Sequence, residues 1–138
     1  MQTRDIMTTP VIAVTPSTPL DDAADVMARG GFTTLPVVDP AGRLLGVVCE
    51  LDLVRAGFPA PQQNTDADDE GTPHGPSTVA TVMRAPDVTV PSDLDPAELT
   101  RRMAQAGVRA LPVVDEGKLV GIVTFRDVLR ALPEIAKS

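Results

Sequence analysis

The strongest constraint on this fold is that the chain contains one unit twice. Leu35-Pro36-Val37-Val38-Asp39 returns as Leu111-Pro112-Val113-Val114-Asp115. Gly46-Val47-Val48-Cys49-Glu50-Leu51-Asp52 returns as Gly121-Ile122-Val123-Thr124-Phe125-Arg126-Asp127. Pro10 matches Pro86, Val14 matches Val90 and Met27 matches Met103 at a single offset, which shortens by one residue in the turn after Asp115. The 138 residues suit one domain. Each half alone is a marginal folder, so the expectation is a pseudo-twofold domain with a shared core and paired clefts where the copies meet.

The first copy spans 5–56 and the second 79–132. Between them, 57–78 reads as a flexible acidic, Pro-rich linker with little to bury. Asp66, Asp68, Asp69 and Glu70 lie there and account for more than half of the net charge of -7. These acids and His74 read more simply as a solvated loop than as a metal site, because the ligands are uneven and the backbone is unconstrained.

Each copy reads as strand, helix, strand, strand, helix, an α+β fold. Val11-Ile12-Ala13-Val14 is a short apolar strand. Thr18-Pro19-Leu20-Asp21 starts a helix with a capping hydroxyl and Pro at its first position. Leu20, Ala23, Ala24 and Met27 share one face, and Gly30-Gly31 stops the helix. Leu35 to Asp39 and Leu44 to Cys49 form a hairpin, and Glu50 begins the closing helix. In the second copy Asp95-Pro96-Ala97-Glu98 resembles a capping box. Leu99, Met103 and Ala106 share a face, Gly107 ends the helix, and the near-continuous apolar run Leu119 to Val123 suits a strand covered on both sides.

Several function classes are disfavoured. Three Phe and no Tyr or Trp leave no platform for stacking bases. The acidic balance opposes binding to nucleic acid or an anionic membrane. No apolar run approaches membrane-spanning length, and the first residues lack the apolar stretch of a signal peptide. The single cysteine fits a reducing compartment, so a cytoplasmic protein is expected. His74 is the only histidine and falls in the linker, so no Ser or Cys gains a placed base and no catalytic residue is assigned. No cysteine or histidine cluster offers a transition-metal site.

Chemistry concentrates at Gly121-Ile122-Val123-Thr124-Phe125-Arg126-Asp127. A hydroxyl sits at a strand-to-helix junction with a carboxylate three residues on, beside the N–H groups of a helix start. A carboxylate can accept from both ribose hydroxyls, while Thr and backbone N–H groups meet a phosphate. Thr-x-x-Asp is equally a capping pattern, and the two roles can coexist.

The Leu-Pro-Val-Val-Asp strand, the hairpin and Gly-h-h-(Thr)-x-x-Asp (h for apolar), in that order and twice, together resemble the CBS domain family, and two such units resemble a CBS pair, or Bateman module. The resemblance covers nearly the whole chain outside the linker. It implies two units packed by their sheets around a pseudo-twofold axis, and a sensor, not an enzyme, that binds AMP, ADP, ATP or S-adenosylmethionine in its clefts, with no required cofactor. Carried onto this chain, Asp127 would hold the ribose and Thr124 the ribose or phosphate. Ile12, Ala13 and Ile122 would line the adenine pocket, although plain core packing explains them as well. Thr33 and Thr34 would add polar contacts. The second cleft would use Val47, Cys49, Asp52, Val88, Thr89, Arg109 and Ala110. There Cys49 stands where the family has Thr or Ser, and is most simply a small buried residue. Arg109 brings a charge suited to phosphate, or is an ordinary surface arginine. The Thr124–Asp127 cleft is therefore expected to be the better site. The resemblance also implies a homodimer through the helices. The alternative reading is a structural dimerisation module with empty clefts.

Overall fold

The computed structural model describes residues 1–57, 77–86 and 88–137. The expected linker, with His74 and its four acids, lies almost wholly outside the described residues.

Helix α1, Leu20–Gly30, buries Ala23 and Met27, while Ala24, expected on the same face, is exposed. Helix α3, Pro96–Ala106, is its counterpart and buries Pro96, Leu99 and Met103, leaving Ala106 exposed. Both end alike. Gly31 at φ 71° and Gly107 at φ 67° adopt the left-handed conformation and donate their N–H to Met27 and Met103. They start differently. The Asp95 carboxylate accepts from the N–H of Ala97 and Glu98 at 3.0 and 3.4 Å. Glu98 turns to Arg101 and Arg102 instead of closing a capping box. The residue ahead of α1 is Pro19, with no side-chain cap. The Thr18 hydroxyl, expected to cap α1, accepts the N–H of Thr15 at 3.0 Å instead.

Two antiparallel hairpins follow these helices. Strand β1, Thr34–Val38, pairs with β2, Leu44–Cys49, setting Leu35 opposite Val48. Strand β3, Ala110–Asp115, pairs with β4, Lys118–Thr124, setting Leu111 opposite Val123. The expected strand at 11–14 is reduced to one parallel bridge, Val14 to Val37, matched by Val90 to Val113. Pro10 and Pro16 flank this stretch and lack the N–H groups a longer ladder needs. The hairpin tips join each other: the N–H of Leu44 donates to Gly117 and that of Leu119 to Gly42. Helices α2, Glu50–Gly57, and α4, Phe125–Lys137, close the two copies.

The chain has two cores, not the single shared one expected, and each is completed by the other copy. The first core gathers Val14, Ala23, Met27, Leu35, Val37, Val48 and Leu53 with Val79, Val82 and Met83 from the start of the second copy. The second gathers Val90, Leu99, Met103, Leu111, Val113, Val123 and Val128 with Ile6 and Met7 from the start of the first. The exchanged segments begin with matching 3-10 turns, Thr3–Asp5 and Val79–Thr81. Each turn is tied to its host by backbone bonds. Thr3 and Arg4 donate to Leu94 and Ser92, and Val79 and Ala80 donate to Thr18 and Pro16. Thr3 is fully buried, and its hydroxyl is satisfied by the Leu94 carbonyl at 2.9 Å. Ser92 is fastened in turn to Asp115, through its N–H at 2.9 Å and its hydroxyl at 2.6 Å. Those two bonds hold the Asp115 carboxyl below its ordinary value.

Candidate functional site

The exchanged segments continue past their 3-10 turns and lie along the second strand of each hairpin. Arg84 and Val47 exchange both backbone hydrogen bonds, at 2.8 and 3.0 Å, and Thr8 and Ile122 do the same at 2.8 and 3.4 Å. A glycine stands beside each contact, where the exchanged segment approaches closely. A Cβ at Gly46 would fall 2.6 Å from the Arg84 carbonyl oxygen, and one at Gly121 would fall 2.5 Å from Met7 Sδ.

Both junctions that carry the candidate carboxylates are capped. The Thr124 N–H donates to Asp127 Oδ2 at 2.9 Å, and the Asp127 N–H donates to Thr124 Oγ1 at 3.2 Å. The capping reading of Thr-x-x-Asp is thus met in full. In the first copy the Cys49 N–H donates to Asp52 Oδ2 at 3.0 Å, and the thiol faces the Thr34 hydroxyl at 3.8 Å. Asp52 and Asp127 are both buried. What reaches them from the exchanged segment differs in charge. The Thr8 hydroxyl lies 3.2 and 3.1 Å from the two Asp127 oxygens. At the matching position the Arg84 guanidinium forms an ion pair with Asp52 Oδ1.

A cavity of 380 Å³ opens between the copies beside Cys49. Thr33, Thr34, Val47 and Cys49 line it from the first copy, and Arg84, Pro86, Val88, Arg109 and Ala110 from the second. Five of the residues expected at the Cys49 cleft therefore meet here: Val47, Cys49, Val88, Arg109 and Ala110. Asp52 is absent from the lining, although its ion-pair partner Arg84 is part of it. Thr89 is exposed and also absent from it.

Of the residues expected at the Thr124 cleft, Thr33 and Thr34 are placed elsewhere. Antiparallel register sets Thr34 opposite Cys49, and the Glu50 N–H donates to the Thr33 carbonyl. The residues that register sets beside Thr124 are Ala110, opposite it, and Arg109, whose carbonyl accepts the Phe125 N–H. Thr33 and Thr34 thus lie at the helix start of their own hairpin, not beside Thr124. Ile122 is buried against Thr8, Ala13 is half-buried and Ile12 is exposed. A hollow of 300 Å³ beside Asp127 is lined by Met1, Asp5, Ile6, Arg130, Ala131 and Glu134, so Asp127 is the only expected residue it contains. Thr8 and Arg84 were not among the expected site residues, and Pro86 entered only as a mark of the repeat. The signal was present, because Met7-Thr8 and Met83-Arg84 stand at the same repeat offset as Pro10 and Pro86.

Among the described residues no group of three or more His, Cys, Asp or Glu could hold a metal ion. No helix among them is long and apolar enough to cross a membrane.

The CBS domain family matches this chain twice, over residues 4–58 and 79–134. Hypoxic response protein 1 of Mycobacterium tuberculosis is 32% identical over 133 residues, covering 96% of this chain and 86% of that protein. An uncharacterized protein of Methanocaldococcus jannaschii is 30% identical over 134 residues, but the chain spans only 32% of its length. The crystal structure of CBSX2 in complex with AMP superposes with a TM-score of 0.78 at 31% identity, covering 98% of each chain. CBSX2 is a protein of Arabidopsis thaliana. The chain belongs to the CBS domain family, as a pair of CBS domains.

Proposed function

We propose that this member of the CBS domain family is a regulatory module that binds an adenosine compound between its copies and signals its occupancy to a partner protein. The carrying observation is the 380 Å³ cavity and its lining. Val47, Val88 and Ala110 offer apolar walls to a purine, Thr33 and Thr34 offer hydroxyls, and Arg84 and Arg109 suit a phosphate. The complex of CBSX2 with AMP supports the choice of ligand class, so AMP comes first among AMP, ADP, ATP and S-adenosylmethionine. No histidine lines the cavity, and no catalytic role is assigned. The lone thiol fits a reducing, cytoplasmic setting.

The first ligand site in this reading is the Cys49 cleft, with Asp52 as the ribose acceptor. The Thr124 cleft, ranked first on sequence for its hydroxyl, becomes the weaker site with Ile12, Ala13 and Ile122 around it. The hollow beside Asp127 contains none of the other residues expected there, whereas the cavity beside Cys49 gathers five of those expected at its own cleft. Isothermal titration and thermal shift with the four ligands test this. AMP at 100 times its dissociation constant should stabilise the chain by about 2.7 kcal/mol. Asp52→Ala should weaken AMP more than Asp127→Ala does. Absence of heat with all four ligands at millimolar concentration would refute the reading.

A second reading, self-association into a homodimer that serves as a scaffold, is favoured by the outer faces of α2 and α4. Leu51 and Val54 are each 51% exposed and Leu129 is 65% exposed, with Phe125 and Leu132 beside them. Sedimentation velocity should show a dimer that Leu129→Glu converts to monomer. A monomer at every concentration would exclude it.

A further inference from the structure

We propose that Asp115 is an acid-sensitive latch on the exchanged segment that begins at Thr3. With its carboxylate ionised, it fastens that segment to the second copy. Protonation loosens the fastening, and with it the placement of Thr8 on Asp127.

The repeat isolates what is particular to this end of the molecule. Each exchanged segment docks by the same two backbone bonds. Thr3 and Arg4 donate to Leu94 and Ser92 at 2.9 and 2.8 Å, and Val79 and Ala80 donate to Thr18 and Pro16 at 2.9 Å each. Ser92 and Pro16 stand at the repeat offset, so matching carbonyls receive Arg4 and Ala80. Behind those carbonyls the two residues differ. Pro16 has no N–H and no hydroxyl to offer. Ser92 gives both to Asp115, the N–H at 2.9 Å and the hydroxyl at 2.6 Å. Asp39, which matches Asp115, serves its own turn instead, accepting from the N–H groups of Ala41 and Arg43 at 2.9 Å each. The second turn is one residue shorter, and its carboxylate is committed to Ser92. The carbonyl that holds Arg4 is therefore fixed by an ionisable group, whereas the one that holds Ala80 belongs to a proline.

The charges around Asp115 set the direction of the switch. Lys118 is opposite it in register, Glu116 follows it, and Asp93 follows Ser92. The Ser92 hydroxyl and N–H hold its carboxyl below the ordinary value of 3.8, against some desolvation, and Arg4 on the docked segment adds a smaller attraction. A carboxyl lowered on folding stabilises the fold above its ordinary value, and the contribution is lost as pH falls through the lowered one. The latch is therefore closed at neutral pH and opens in acid. Ser92 is 7% exposed, so water is poorly placed to replace the bonds it loses. The same segment carries Met7 onto Gly121 and Thr8 onto Asp127, so loosening the dock reaches the helix start at Thr124.

Amide hydrogen exchange of the full chain tests the latch, read as the rate at Arg4 relative to that at Ala80 and corrected for the intrinsic effect of pH. At neutral pH Asp115→Asn, which imitates the protonated acid, should raise that ratio at least about tenfold, the range of one hydrogen bond to a charged group. Ser92→Ala removes the hydroxyl and keeps the N–H. It should raise the ratio by less, and it reads the latch if Asp115→Asn fails to fold. In the unmodified protein the ratio should climb as pH falls towards about 3, and in Asp115→Asn it should stay level. A ratio that neither variant raises, an equal rise at Arg4 and Ala80, or a ratio that acid leaves unchanged in the unmodified protein would each overturn the latch.

Discussion

Val79→Asp should abolish cooperative folding of the whole chain, not only of the copy to which Val79 belongs by sequence. Val79 is fully buried in the first core, and the described side chains that form that core are apolar. An uncompensated buried charge costs about 3–5 kcal/mol, a large part of the roughly 5–15 kcal/mol that holds a domain together. The same turn is bonded to Thr18 and Pro16, so its release also undocks the segment that leads to Arg84. Ala80→Asp, one residue along at an exposed position, should change stability by less than about 0.5 kcal/mol. Urea unfolding followed by circular dichroism reads both. Survival of a cooperatively folded second copy in Val79→Asp would contradict the reciprocal cores.

The second large effect is expected at Gly46. Its Cβ would meet the Arg84 carbonyl oxygen, an atom fixed by the paired backbone bonds to Val47. Either that pairing opens or β2 shifts, and overpacking of this kind costs about 1–3 kcal/mol. At Gly121 the clash is with Met7 Sδ, in a flexible side chain that can rotate away. Gly46→Ala should therefore lower the melting temperature clearly more than Gly121→Ala, and should alone impair AMP binding, because it displaces Arg84. Equal losses at the two glycines would sink this account.

The hairpins were legible in the sequence because their signals are local. Leu35 and Leu111 open apolar runs, the turn glycines Gly42 and Gly117 supply positive φ at 87° and 82°, and Gly107 stops α3 where the apolar period ends. The Asp95 cap was legible for the same reason. The exchange of segments was not. Nothing in Thr3 to Met7 says which copy its apolar side chains will enter, since Met7 and Met83 fit either core by composition. Thr33 lies with Cys49 and Glu50 because antiparallel register acts within one hairpin, a relation that matching residues across the copies does not contain. The charge contrast at Thr8 and Arg84 needed only the offset already used for Pro10 and Pro86. Both residues lie outside the repeated Gly-h-h-(Thr)-x-x-Asp motif.

The Thr3 to Leu94 bond joins residues 91 apart in sequence, which bears on how the chain is made. During synthesis, the first copy emerges from the ribosome before Val79, Val82 and Met83 exist to finish its core. It has to wait in a partly formed state until the start of the second copy has followed. Contacts this distant in sequence slow folding, and an unfinished core shows apolar surface to other nascent chains.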